Sequence, residues 1–387
     1  MSLQVDLRNP ELGYFDEGHD LTDRSLYETA CRPFGRASML PPVAYRSKMF
    51  RELENEKIWT RSWAVIGLHQ QIPGAGDLLP LTLGMHGIHV QRQADGGIVA
   101  RMNRHQHGGC RFVPEQCRSG RQTKCSITSC NYTRDSDVMP AGENGEATDV
   151  MYKFIGLTPE RLAPIKCDSW GPFILVNLDP ECEPLKDYLG DLPRKLQLDL
   201  DAPLKIVGQQ WLDFQCNWKM AGSALTRGTE AADKQDATDF PVNSSMAETS
   251  GAEHAPHARI AWLFPNLLIA SGPGHLAIVL LQATGVAKTL ARCFWLTAAA
   301  DDPATTAAGF STWISLLKVQ GAVAENMHLR HVQIGTSSRP GTDAGDLPCE
   351  DNRLAHALNR FLAHRAQLEH QYRWHAPIMD AAMLMRR

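Results

Sequence analysis

Two clusters of side chains in this 387-residue chain are suited to chemistry, and a gap separates them. The first runs through His105, His107, Cys110, Cys117, Cys125 and Cys130, with Thr128 between the last two. Imidazole and thiolate are the donors zinc prefers. His105, His107, Cys125 and one of Cys110, Cys117 or Cys130 would make a tetrahedral Cys2His2 set. The competing reading is a tip whose residues only pack and hydrogen-bond. The second cluster is acidic: Glu230, Asp233 and Asp236 recur every three residues, so on a helix they would share one face. With His328 or His331 they offer ligands for a hard, oxygen-preferring ion; the plainer reading is a solvated acidic face. Between His107 and His254 there is no histidine. Chemistry that needs imidazole from that stretch has nothing to use.

The elements that must position these residues change character along the chain. Residues 1–45 are rich in Pro and Gly and poorly periodic, an arm ordered by packing. Ser47 is the expected N-cap of a helix in SKMFRELENEKIWTRSW, where Met49, Phe50, Leu53, Ile58 and Trp59 recur at helical spacing. The pattern then turns to short strands bounded by Gly or Pro, AVIGLHQQIP, GDLLPLTLG, GIHVQRQ and GGIVARMN, closing with WGPFILVNLDP. That predicts a small all-β module over 63–180, after an arm and first helix over 1–62. Residues 181–387 mix strands (KIVGQQWLDFQCNW, HLAIVLLQAT, LARCFWLTAA) with a helix in EPLKDYLGDLPRKLQL and helices near 307–333 and 351–373. This is the pattern of an α+β domain, an antiparallel sheet covered by helices. Segment 222–258 is expected to be a short helix followed by a loop.

With 43% hydrophobic and 21% charged residues and a net charge of −4, the chain is an ordinary globular protein with no bias toward nucleic acid or anionic membrane. The N-terminal MSLQVDLRNPELGYF mixes charges early and has no apolar core of a secretory signal, so a cytoplasmic protein is expected. Ten cysteines then read as reduced thiols or metal ligands, not as a disulfide framework.

Several islands resemble the α subunit of Rieske non-haem iron oxygenases, the ring-hydroxylating and demethylating family. They are SMLPPVAYRSKMFRELENEKIWTRSWAVIG, IPGAGDLLPLTLGMHGIHVQRQADGGIVARMNRHQHGG, SWGPFILVNLDPECEPLKDYLGDL, CNWK and FPNLLIASGPGHLAIVL, and they span most of the chain. Trp63, Gly74, Asp77, NLDP and NWK are jointly the most specific. The resemblance implies a Rieske-like β module followed by a mononuclear-iron domain. It also implies a [2Fe–2S] cluster held by two Cys and two His, with iron held elsewhere by two His and one carboxylate.

Carried over residue by residue, the ligands are largely missing. NRHQHGG puts His105 where the first cluster Cys belongs and retains His107; KCSITSC retains Cys125 and puts Thr128 at the second His. After Asn217-Trp218-Lys219, the bridging acid falls on Arg227 and the two histidines on Glu230 and Gln235; a register one residue longer gives Ala231 and Asp236. The third ligand falls near Glu325, with Asn326 favoured. Arg227 would reverse the local field and, on a helix, would pair with Glu230 three residues on.

The leading expectation is therefore a degenerate member, a pseudoenzyme holding neither [2Fe–2S] nor mononuclear iron. Zinc at the tip stays open. Such a chain would serve as a structural or regulatory subunit beside a homologous active oxygenase α chain, or as a homotrimer. An oxygenase with altered ligands or a repurposed enzyme using His254, His257, His328, His331 or Arg227 in acid–base work is the runner-up. A small-molecule binding protein using the pocket lined by FPNLLIASG and strand 276–282 is the third.

Overall fold

The computed structural model describes residues 7–9, 14–16, 19–103, 137–155, 157–196, 200, 204–227, 229–231, 243–249, 259–272, 274–298, 303–337 and 352–369. Two compact units emerge, one from Trp59–Leu185 and one from residues 1–58 with 186–370. The architecture is α+β. No helix among the described residues is long and apolar enough to cross a membrane.

The larger unit opens with the paired strands β1 (Leu7–Asn9) and β2 (Tyr14–Asp16), then α1 (Val43–Arg46) and α2 (Lys48–Glu54). Ser47 caps α2 as expected, its hydroxyl accepting from the Phe50 amide at 3.2 Å. Phe50, Ile58 and Trp59 are buried, but Met49 is 46% exposed and Glu54 takes an interior place. A buried carboxylate demands a partner, and Lys219 supplies it.

The smaller unit is a six-stranded sheet made from β3 (Ala64–Leu68), β4 (Leu78–Leu83), β5 (His86–Arg92), β6 (Ile98–Met102), β7 (Pro164–Trp170) and β8 (Phe173–Asn177). Its spatial order is β3-β8-β7-β6-β5-β4, and every neighbouring pair is antiparallel. Between β6 and β7 lies α3 (Asp149–Ile155), whose Met151, Phe154 and Ile155 pack with Leu78, Met139 and Leu162. The family-like islands here are structural. Asp77 accepts from the Gly74 amide at 2.7 Å and the Ala141 amide at 3.0 Å. Trp63 donates its indole N–H to the Glu183 carbonyl at 2.9 Å. Asp179 of NLDP pairs with Arg61 at 2.9 Å, while Asn177 accepts from the Asp179 amide.

The larger unit resumes with α4 (Leu185–Leu189) and α5 (Leu192–Leu196) in place of the single helix expected there. Gly190 at φ +52° breaks it, a left-handed position that glycine takes without strain. Then come β9 (Leu204–Phe214), α6 (Trp218–Leu225), β10 (Thr229–Ala231), β11 (Ser244–Thr249), β12 (Arg259–Leu263), β13 (Leu267–Gly272), β14 (His275–Gly285) and β15 (Lys288–Ala298). The sheet order is β10-β11-β12-β13-β14-β15-β9, antiparallel throughout. Helices α7 (Pro303–Ser337) and α8 (Arg353–Gln367) follow, the first longer and the second shorter than the periodicity predicts.

The helix-then-loop expectation for 222–258 needs correction. Residues 229–231 and 244–249 pair as strands, with Glu230 opposite Glu248. Glu230 therefore cannot lie on one helix face with Asp233 and Asp236, which are outside the described residues. Main-chain pairing of β10 with β11, and of β11 with β12, outweighed the weak helical signal of an Ala/Asp/Glu-rich stretch.

Candidate functional site

The residues that the resemblance marks as mononuclear ligands belong to the end of α6, the strand after it and the middle of α7. Helix α6 begins with Asn217, whose side chain accepts from the Lys219 amide at 3.1 Å and donates to the Val286 carbonyl at 2.8 Å. Lys219 reaches the Glu54 carboxylate at 2.5 Å, and Trp218 donates to the same oxygen at 3.2 Å. The two charged side chains are 1% and 3% exposed. The Lys219 ammonium lies 5.1 Å from the centroid of the Tyr45 ring and 5.3 Å from that of Phe50. Burial lowers its pKa, and the Glu54 charge opposes that shift. The sequence marks Lys219 only as part of the NWK island and does not mark Glu54. Each residue alone carries a weak signal, a Lys within a short apolar helix and a Glu at a core position of α2, but nothing in the sequence pairs them.

The helix stops sharply. Thr226 donates its hydroxyl to the Gly222 carbonyl at 2.9 Å, and Asn352 donates to the Ser223 carbonyl at 2.8 Å and to the Thr226 hydroxyl at 3.1 Å. These bonds satisfy the orphan carbonyls of the last turn. Gly222 sits under the Trp262 indole so closely that a Cβ there would meet the ring at 2.0 Å. Arg227 follows the cap and is exposed. With the helix ended at Leu225 and Glu230 in β10, the helical Arg227–Glu230 pairing expected from sequence loses its geometry. Gln235 lies outside the described residues.

On α7 the residues diverge. Asn326 is exposed and donates its amide back to the Ala322 carbonyl one turn earlier, at 3.0 Å. Glu325 is occupied by the Gln215 amide, at 2.7 Å. His328 and His331 face inward, 4% and 3% exposed. His331 meets the Tyr45 ring edge-on at 4.7 Å. Burial, with the Lys219 charge behind it, pushes both imidazoles down to about 4; Arg46 adds to this for His331, and a nearby Leu40 carbonyl opposes it. Nδ1 of His328 and both ring nitrogens of His331 have no hydrogen-bond partner among the described residues. The inward histidines and the outward Asn326 do not converge.

Among the described residues no three His, Cys, Asp or Glu side chains gather where an ion would sit. An amide bonded to its own helix and a guanidinium are poor iron donors, so the described members of the expected set do not fit a two-His, one-carboxylate centre. The Rieske tip is described only at its base. His89 is fully buried and shares a 2.7 Å hydrogen bond with the Asn103 side chain, and the main-chain N–H of Asn103 donates to the Gly87 carbonyl at 2.9 Å. His105, His107, Cys110, Cys117, Cys125, Thr128 and Cys130 lie outside the described residues, as do His254 and His257.

No family model matches the chain. The biphenyl dioxygenase α subunit of Paraburkholderia xenovorans is 28% identical over 208 residues, covering 47% of this chain and 41% of that one. The benzene 1,2-dioxygenase α subunit of Pseudomonas putida is 26% identical over 237 residues, covering 58% and 51%. The solved structure of a quaternary ammonium Rieske monooxygenase superposes with a TM-score of 0.58 over 89% of this chain and 98% of the other, at 14% identity. In sequence and in fold the chain resembles the α subunits of Rieske oxygenases. Naphthalene 1,2-dioxygenase gives a TM-score of 0.57 over 90% of this chain and 96% of that one, again at 14% identity, a likeness of fold alone. The chain spans about half the length of the curated relatives it matches.

Proposed function

We propose that this Rieske oxygenase α-subunit-like protein is a non-catalytic subunit, structural or regulatory, that assembles with a homologous active oxygenase α chain. One observation carries the reading: the 146 residues from 108 to 253 contain no histidine, and the helix meant to deliver ligands ends at Leu225 before an exposed Arg227. Support comes also from what the chain keeps. NWK, NLDP, Trp63 and Asp77 all make buried or half-buried hydrogen bonds of the scaffold. A fold preserved without its donors is what an assembly role requires.

The named relatives are subunits of enzymes, which favours one second reading: an oxygenase with unorthodox ligands. Metal analysis separates the two. The purified chain, alone and co-expressed with an active α chain, is assayed for iron, acid-labile sulfide and zinc, with a visible spectrum. The expected result is no iron–sulfur absorption from the chain itself and stable co-purification with the active chain. Iron and sulfide in equal, near-stoichiometric amounts would overturn the reading. A colourless chain that binds zinc keeps it and assigns the tip to His105, His107, Cys125 and a further thiol. Installing His105→Cys with Thr128→His then tests whether the ligand swaps alone removed the cluster.

A further inference from the structure

His328 and His331 serve neither the hydrogen-bonded scaffold nor the expected iron site. They project from one face of α7 at a spacing of three and are buried. There α7 packs on α1 and α6, which bring Tyr45 and Arg46 from the first and Lys219 from the second. A neutral imidazole carries one N–H donor and one acceptor nitrogen. Nδ1 of His328 and both ring nitrogens of His331 have no hydrogen-bond partner among the described residues. The Leu40 carbonyl lies near His331 without completing a bond to it. Buried polar atoms are almost always bonded, so a cluster of such nitrogens marks a place where a further group bonds them.

Charge decides between a water, a cation and an anion. The charges that act on the two rings are positive: the Lys219 ammonium on both, and Arg46 on His331. Lys219 stands 5.1 Å from the centroid of the Tyr45 ring, and His331 meets the same ring at 4.7 Å. The Glu54 carboxylate is taken by Lys219 and Trp218, and Glu325 is turned to the Gln215 amide. A metal ion would find imidazole lone pairs here, but beside a buried ammonium and guanidinium. Water gains nothing from that field. An anion uses the N–H donors and the positive field together. Tyr45, Leu40, Arg46 and Lys219 are themselves buried, which limits the ligand to an ion of a few atoms.

We propose that His328 and His331 bind a small monovalent anion, chloride or a short carboxylate such as formate, where α1, α6 and α7 meet. Each imidazole donates one N–H to the ion, and the neighbouring ammonium and guanidinium offset its charge. The site goes beyond the proposed function: it lies within one unit, and neither iron nor a partner chain enters.

The linewidth of the chloride NMR signal tests it on the full chain, with NaCl exchanged for sodium gluconate so that ionic strength stays constant. Gluconate is too bulky for the cluster. Wild type should show excess broadening that saturates with chloride and is displaced by sodium formate; the concentrations needed tell which ion binds more tightly. H331F, which keeps a ring against Tyr45, and H328F each remove one donor and should weaken chloride about tenfold or more, because hydrogen bonds to an ion are the strong ones. N326A alters an exposed side chain of the same helix and should broaden chloride as the wild type does. Near-UV circular dichroism checks that each variant keeps its packed core. The wild type carries the test if a variant unfolds: broadening that never saturates, or that formate fails to displace, reports surface cations and overturns the site. Saturable broadening retained in folded H328F and H331F overturns the assignment to these histidines. No excess broadening leaves the nitrogens to a buried water and overturns the inference. The proposed function stands in each of these cases.

Discussion

The two ends of α6 teach different things about one short helix. At its start, Asn217, Trp218 and Lys219 are tied into the core by a cap, an indole hydrogen bond and a buried ion pair to Glu54. At its end, Thr226 and Asn352 tie off the carbonyls and the chain leaves through an exposed Arg227. Every residue at the first end is tied into the fold; at the second end the buried Thr226 is too, but the exposed Arg227 that follows it sits where a family likeness expects metal chemistry.

The largest test of that contrast is at Glu54. Removing it as Glu54→Ala strands the Lys219 ammonium in the interior, and breaking such a pair costs about 3–5 kcal/mol. Chemical denaturation should show that loss. Replacing both partners, as Glu54→Leu with Lys219→Met, should restore most of it, because packed apolar groups substitute for a desolvated pair. A double variant as unstable as the single one would mean that the pair is not the stabilising feature.

Acid sharpens the same contrast. His86, His89, His328 and His331 are all held down to about 4 by burial, against an ordinary value of 6.5. The native state keeps these imidazoles neutral while the unfolded chain protonates near 6.5. The unfolded state therefore binds more protons below that pH, and stability falls as pH drops from about 6.5 toward 4. His331→Phe, which keeps a ring against Tyr45, should reduce the slope of stability against pH by about 1.4 kcal/mol per pH unit in that window. An unchanged slope would show that His331 is not buried neutral.

How much of this was legible in the sequence depends on which physical signal each element uses. The strands of the smaller unit announced themselves by short apolar runs between Gly and Pro, and Ser47 announced α2 by its hydroxyl. The strand β10 did not: Thr229-Glu230-Ala231 has no apolar alternation, and only pairing with β11 makes it a strand. Gly190 hid its break because a glycine within a helical pattern reads as a tolerated flaw until its φ is known. At the site, the missing histidines were readable by simple inspection. The Glu54–Lys219 pair was not, since it joins residues 165 positions apart. The opposite facing of Asn326 and His328 was hidden too, because it depends on which side of α7 the sheet covers.

A smaller effect separates the cap from the chemistry. Asn217→Ala removes the side-chain acceptor for the Lys219 amide and the donor to Val286, and caps of this kind are worth about 1–2 kcal/mol. Asn217→Asp keeps the acceptor and loses the donor, so it should fall between the two in a thermal melt. Equal loss in both variants would assign the stabilisation to the Val286 contact alone.

The smallest expected effect is the most telling for function. Arg227→Ala and Asn326→Ala alter exposed side chains, the second bonded only to its own helix among the described contacts, and substitutions of that kind stay within about 0.5 kcal/mol. If these positions still served a metal, changing either would alter the iron content of the purified chain or shift its melting temperature on chelation. With no ligand role, both variants should melt with the wild type, with and without chelator. A chelator-dependent shift that vanishes in Asn326→Ala would place an ion beside α7 and turn the contrast between the two ends of α6 around, since the end that leaves through the exposed Arg227 would then be the one that is used.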